Sequence, residues 1–223
     1  MTIAAVVTAA GSGTRLGADL PKALVPVGGM PLVAWAVDAI SQVADAVVVT
    51  APASHLDQFR ASVPGVTVVA GADSRQDSVH AGLRALGLAD DDIVLIHDAA
   101  RAFQTADVML ATVDAVLAGA DGAVPVVDVV DTLVAAPAAN GALGDPVDRT
   151  AVRAVQTPQT FRAAAILDAH RRGESGATDD ATLARACGYR VVAVGGHEDG
   201  LKVTRPRDLA VASAIATSRK ESA

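Results

Sequence analysis

Ile3-Ala4-Ala5-Val6-Val7-Thr8-Ala9-Ala10-Gly11-Ser12-Gly13-Thr14-Arg15-Leu16-Gly17 is the stretch whose reading decides the fold. Its first six residues are an apolar run without polar alternation, the pattern of a strand covered on both faces. A glycine-rich turn follows directly. Glycines after a strand let backbone N–H groups approach an anion closely, and open parallel sheets bind ligands at the carboxyl ends of their strands. The spacing G-x-G-x-x-x-G misses the dinucleotide fingerprint, and no G-K-[ST] follows, so neither a dinucleotide loop nor a P-loop fits. Arg15 and Lys22 instead set two cations beside the turn, which suits a triphosphate whose charge must be neutralised. The turn from Ala9 through Ala10, Gly11 and Ser12 to Gly13 is its expected cradle.

Outward from this stretch, apolar runs of strand length recur at 46–50, 66–70, 93–97 and 122–126. Helical spacing fills the gaps, at 31–42, 56–62, 78–86 and 106–118. Such alternation predicts right-handed βαβ crossovers and a mostly parallel, Rossmann-like α/β sheet flanked by helices. The rhythm breaks over 127–155, where strand-like content at 129–135 and 147–155 surrounds the turn Pro137-Ala138-Ala139-Asn140-Gly141. This segment reads as a projecting β-arm, either a surface hairpin or a ribbon that packs on something, since two strands alone are marginal. Helices at 163–171 and 179–186, strands at 190–194 and 201–203, and a last helix over 206–217 complete the expectation.

The 223 residues suit one domain with an excursion. Of them 51% are hydrophobic but only 2% aromatic, so the core must be built from Val, Ala, Leu and Ile, which favours α/β over a sandwich. A net charge of -7 argues against broad binding of nucleic acid, which needs basic surfaces. Cys187 has no partner for an intrachain disulfide and sits at an expected helix end. The opening Met1-Thr2-Ile3-Ala4 lacks the basic region of a secretory leader, and no apolar run reaches the ~18–20 residues of a membrane span. The expectation is a cytoplasmic protein that binds no membrane.

The fourth strand ends in His97-Asp98-Ala99-Ala100-Arg101. Small alanines such as Ala99 leave room for a ribose, Asp98 can bind hydroxyls or metal-bound water, and Arg101 can hold a phosphate in its planar fork. The competing reading is a structural Asp98–Arg101 salt bridge. His97 is expected to support the loop by hydrogen bonding rather than to transfer protons.

The ordered set of Ala9–Gly17 with Pro21-Lys22-Ala23-Leu24, Gly71-Ala72-Asp73-Ser74-Arg75-Gln76-Asp77-Ser78-Val79, the 97–101 run, Thr157-Pro158-Gln159-Thr160-Phe161, Thr178-Asp179-Asp180 and Lys202-Val203-Thr204-Arg205-Pro206 resembles the 2-C-methyl-D-erythritol 4-phosphate cytidylyltransferase family of the non-mevalonate isoprenoid pathway. One departure is Lys22-Ala23-Leu24, where Gln usually follows the lysine. The resemblance implies a nucleotidyltransferase that joins CTP to a small polyol phosphate, releases pyrophosphate and uses Mg²⁺ or another divalent metal. It implies that Gly71, Asp73 and Ser78 help select cytosine, with Asp73 or Ser74 as a helix N-cap in the competing reading. Arg75 reads equally as a solvated helix cation or as part of the nucleotide pocket.

The resemblance further implies that the arm exchanges across a homodimer, so that Thr132 and Arg149 touch the substrate of the other subunit. Thr178 is an acceptor contact or, with Asp179, an N-cap. Lys202 becomes a third cation at the α-phosphate beside Arg15 and Lys22. A phosphate monoester has a second pKa near ~6 and attacks without a protein base, so positioning and charge neutralisation carry the catalysis. Mg²⁺ prefers phosphate and water ligands. No metal ligand is assigned beyond Asp98 through water. The competing functions are transfer to another polyol phosphate, such as ribitol 5-phosphate, and a nucleotide-sensing module without turnover.

Overall fold

The computed structural model describes residues 1–11, 20–173 and 176–221. In chain order the strands and helices are β1 (Ile3–Thr8), β2 (Pro26–Val27), β3 (Met30–Pro31), α1 (Leu32–Ile40), β4 (Ala46–Ala51), α2 (Leu56–Ser62), β5 (Thr67–Ala70), α3 (Arg75–Leu86), β6 (Ile93–Asp98) and α4 (Ala106–Leu117). They continue as β7 (Gly122–Asp128), β8 (Leu133–Val134), β9 (Pro146–Val147), β10 (Arg153–Val155), β11 (Gln159–Arg162), α5 (Ala163–Arg172), α6 (Asp180–Ala186), β12 (Val191–Gly195) and α7 (Pro206–Glu221).

The main sheet runs β5-β4-β1-β6-β11-β7-β12. Strands β5, β4, β1 and β6 are parallel, as are β7 and β12, while β11 lies antiparallel between β6 and β7. Val126 of β7 pairs with Gly195 on one edge and with Val155 of β10 on the other, so β10 and β11 follow each other along one side of β7. Thr8 stands in register with both Thr50 and Asp98, which aligns the carboxyl ends of β1, β4 and β6 at one level.

Side chains of each central strand alternate between two buried layers. Ala5 and Val7 of β1, with Ile93 and Leu95 of β6, pack under α1, α2 and α4; Val6, Val94 and Ile96 pack under α3, α5 and α6. This two-sided covering explains why the strands carry continuous apolar runs, each fully buried Val or Ile contributing about 1.5–3 kcal/mol. A third cluster seats α7 against Trp35 and Phe103. No helix among the described residues is long and apolar enough to cross a membrane.

The helix over 78–86 starts three residues earlier than its spacing predicts, because Ser74 accepts the Asp77 N–H at 3.0 Å and caps a helix beginning at Arg75. Asp179 likewise accepts the Thr182 N–H at 2.8 Å and caps α6. The last helix runs to Glu221 instead of 217.

Two strand expectations need correction. Residues 201–203 are not a strand: Val203 N–H bonds the Ala100 carbonyl at 2.8 Å, in the 3₁₀ turn after β6, where no strand edge is offered. The arm strands expected at 129–135 and 147–155 shrink to the two-residue pair β8 and β9, while β10 returns to the main sheet. A ribbon open to water on both faces buries too little to hold a longer ladder. The sequence reading also left β11 unassigned, because Gln159 and Thr160 carry no strand pattern outside the sheet that pairs them.

Candidate active site

At the aligned carboxyl ends of the parallel strands lies a cavity of about 630 Å³. Its lining includes Thr8–Gly11 at the end of β1, Pro52 and Ala53 after β4, Gly71–Arg75 after β5, and Asp98–Ala100 at the end of β6. The register sets this convergence: Ala9 N–H bonds the Thr50 carbonyl and Gly71 N–H the Ala51 carbonyl, each at 2.8 Å, so the loops start side by side. Gly71 is required at this packing, since a Cβ there would stand 2.6 Å from the Cβ of Ala10 and 2.9 Å from Ser78 Oγ.

Most residues singled out in the sequence meet in this cavity. Ala9, Ala10, Gly11, Lys22, Gly71, Asp73, Arg75, Ser78, Asp98, Ala99 and Lys202 all line it. Ser12, Gly13 and Arg15 lie outside the described residues. Arg101, Thr132, Arg149 and Thr178 do not line it. Thr132, Arg149 and Thr178 are exposed, and Arg149 Nη1 donates to the Val130 carbonyl at 2.6 Å within the arm.

Asp98, buried at the end of β6, organises the site. Its Oδ2 accepts from Lys202 Nζ at 2.7 Å, and its Oδ1 from Thr8 Oγ1 at 3.1 Å and Arg75 Nε at 3.3 Å. Burial works to raise this carboxyl, but Arg75 and Lys202 together hold it well below the usual carboxylate range. Arg75 reaches on to Asp180, whose Oδ2 is 2.6 Å from Nη1. Burial works against the charged guanidinium, yet Asp180 and Asp98 raise it above its ordinary value. Arg75 thus lines the cavity braced by two carboxylates, rather than standing as a solvated helix cation. Asp180 is buried and is held from behind by His170 Nε2 at 3.1 Å.

The Asp98–Arg101 salt bridge considered from sequence gives way to these pairs. Arg101 donates from Nη1 to the Gly200 carbonyl at 2.7 Å and from Nη2 to the Val155 carbonyl at 2.9 Å, so its fork holds backbone. Ser78 is also a loop support: its Oγ accepts the Ala72 N–H at 2.9 Å and faces the Ser74 carbonyl at 2.9 Å.

His97 is fully buried, and its partners fix its tautomer. Nε2 stands 3.2 Å from the Arg101 carbonyl, which only accepts, so Nε2 carries the proton. Nδ1 then accepts from Thr157 Oγ1 at 3.0 Å, and the same hydroxyl accepts the Asp98 N–H at 3.1 Å. Burial lowers the imidazole to about 4, consistent with a neutral structural brace. Thr8, Thr157 and Asp180 were not assigned from sequence. The contact that brings each to the site spans dozens of residues: Thr8 and Thr157 reach Asp98, and Asp180 reaches Arg75.

The chain matches the family 2-C-methyl-D-erythritol 4-phosphate cytidylyltransferase over residues 3–218. It is 41% identical over 217 residues to the 2-C-methyl-D-erythritol 4-phosphate cytidylyltransferase of Rhodococcus jostii, covering 96% of this chain and 94% of that protein. It is also 41% identical over 210 residues to the bifunctional enzyme IspD/IspF of Granulibacter bethesdensis; that match takes in 94% of this chain but 55% of the longer protein. The crystal structure of 2-C-methyl-D-erythritol 4-phosphate cytidylyltransferase from Thermus thermophilus superposes with a TM-score of 0.81 at 36% identity, covering 97% of this chain and all of that one.

Proposed function

The chain belongs to the 2-C-methyl-D-erythritol 4-phosphate cytidylyltransferase family, and from that premise we propose how its cavity transfers CMP from CTP to 2-C-methyl-D-erythritol 4-phosphate. The observation that carries the reading is the convergence of Lys22, Lys202, the Ala9–Gly11 backbone and Gly71–Arg75 with Ser78 on one cavity. The loop takes the cytosine and ribose side, with Asp73, Arg75 and Ser78 around them and Asp98 and Ala99 at the sugar. The triphosphate lies along Ala9–Gly11, continuing onto Ser12, Gly13 and Arg15.

The acceptor's phosphate oxygen attacks the α-phosphorus, one P–O bond forms, the bond to the bridging oxygen breaks, and pyrophosphate leaves with the electron pair. Lys22, Lys202 and Arg15 offset the charge that builds on the α-phosphate and the leaving group. His97 is neutral and walled off, which fits an attack by a phosphate that needs no general base.

A divalent cation, Mg²⁺ foremost, fits this donor set: no group of three or more His, Cys, Asp or Glu among the described residues could cage a metal. Hard oxygens from phosphates and water, with Asp98 reached through water, are what Mg²⁺ takes. Bound there, it would neutralise phosphate charge.

The whole chain is read as one nucleotidyltransferase domain with residues 127–155 as a dimerisation arm, working as a cytoplasmic homodimer. Val130, Val134, Leu143 and Val147 are exposed on the arm and call for a covering surface. In that dimer Thr132 and Arg149 would serve the partner's acceptor, with Arg101 and Thr178 beside it. Purified protein with Mg²⁺, 2-C-methyl-D-erythritol 4-phosphate and each of CTP, UTP, ATP and GTP tests the reading by pyrophosphate release. CTP should give the highest kcat/KM; equal use of a purine nucleotide, or faster transfer to ribitol 5-phosphate, would overturn it.

A further inference from the structure

We propose that two buried glutamines, Gln104 and Gln156, are positioning residues for Lys202, clamping the segment that carries it to the root of the arm. The inference rests on the catalytic reading of Lys202 given above.

Both amides are almost fully buried, at 1% and 4% exposure, and neither lines the cavity. Gln156 grips His197 at two points, donating from Nε2 to its carbonyl at 2.8 Å and accepting its N–H on Oε1 at 3.2 Å. A side-chain amide here does the work of a neighbouring strand. Gln104 completes the pair, with Nε2 donating to Gln156 Oε1 at 3.0 Å and to the Thr157 carbonyl at 3.1 Å. Gln104 also sets the height of Gly200, where a Cβ would stand 2.5 Å from its Nε2.

Lys202 is therefore bracketed closely. His197 is held by Gln156, the Gly200 carbonyl by Arg101 at 2.7 Å, and the Val203 N–H by the Ala100 carbonyl at 2.8 Å. With anchors at 197, 200 and 203, little slack is left to the backbone that places Nζ over Asp98. The Gln156 N–H in turn bonds the Pro125 carbonyl at 2.8 Å, and Val155 before it ends the arm's returning strand. The arm root and the lysine segment thus share one buried polar joint. Buried amides whose partners are removed leave unsatisfied groups that must move toward water. A shift of the order of 1 Å at a catalytic group is enough to cost about 10²-fold in rate.

The test is a double-mutant cycle in the full-length protein, read by steady-state kinetics with CTP, Mg²⁺ and the polyol phosphate. Gln156→Leu should lower kcat by about 10- to 100-fold with KM for CTP nearly unchanged. In a Lys202→Ala background the same change should cost nothing further, because the amide acts through the lysine. An equal loss in both backgrounds would show a general structural role and overturn the proposal. Normal turnover of Gln156→Leu beside a crippled Lys202→Ala would overturn the clamp alone; normal turnover of Lys202→Ala would instead remove the lysine from catalysis and the clamp with it. Should Gln156→Leu not fold, Gly200→Ala, which presses a methyl on Gln104, is read in the same cycle with the same outcomes.

Discussion

Lys202 Nζ stands 2.7 Å from Asp98 Oδ2, while Arg75 Nε approaches the other carboxylate oxygen at 3.3 Å. One buried carboxylate thus aims two cations that come from segments 127 residues apart. Electrostatic catalysis demands such preorganisation, since cations already in place need not reorganise when charge develops.

Asp98→Asn removes the charge that holds both cations. The expected result is a fall in kcat of about 10²-fold or more with secondary structure unchanged by circular dichroism. Turnover within threefold of wild type would show that Lys202 finds its place without Asp98. The depressed Asp98 carboxyl stabilises the fold at every pH above its unfolded value near 4, and that contribution is lost only as pH falls through its lower folded value, in strong acid.

His97 imposes a pH dependence in a milder range. Its imidazole is neutral when folded down to about 4, whereas unfolded it takes a proton near ~6.5. A group whose folded pKa is depressed binds fewer protons folded than unfolded, so stability falls as pH drops from 6.5 toward 4, by at most about 3 kcal/mol. Urea denaturation at pH 7 and at pH 4.5 measures the loss, and His97→Gln should flatten it. An unchanged slope in that variant would place the titrating group elsewhere.

Thr50 is fully buried near the end of β4, and its Oγ1 has no hydrogen-bond partner among the described residues. Thr50→Val keeps the shape and deletes the unsatisfied hydroxyl, so the protein should gain about 1 kcal/mol. A loss of more than that in thermal or urea unfolding would mean the hydroxyl is satisfied after all.

Arg149→Ala and Lys22→Ala should each be nearly inactive. If the arm serves the partner's site, mixed dimers carry one intact site each, and an equimolar exchange should recover roughly a quarter of wild-type activity. No recovery after demonstrated subunit exchange would return Arg149 to its own subunit or remove it from any site.

The sequence by itself determined the layered fold and the position of the cavity. Unbroken apolar runs such as 3–8 and 93–98 can be buried only between two helical layers, and right-handed crossovers then bring their carboxyl ends to one rim. Gly71, Asp98 and Lys22 were readable there because a residue's place relative to the end of its strand is a local property. What the tertiary structure alone decided is which groups touch. That Arg75 braces Asp98 instead of facing solvent, that Arg101 spends its fork on backbone carbonyls, and that Gln159–Arg162 inserts antiparallel between β6 and β7 all depend on partners distant in sequence. The short arm pairing has the same origin: a ladder's length follows from the surface that covers it, and no pattern within 127–155 specifies that surface.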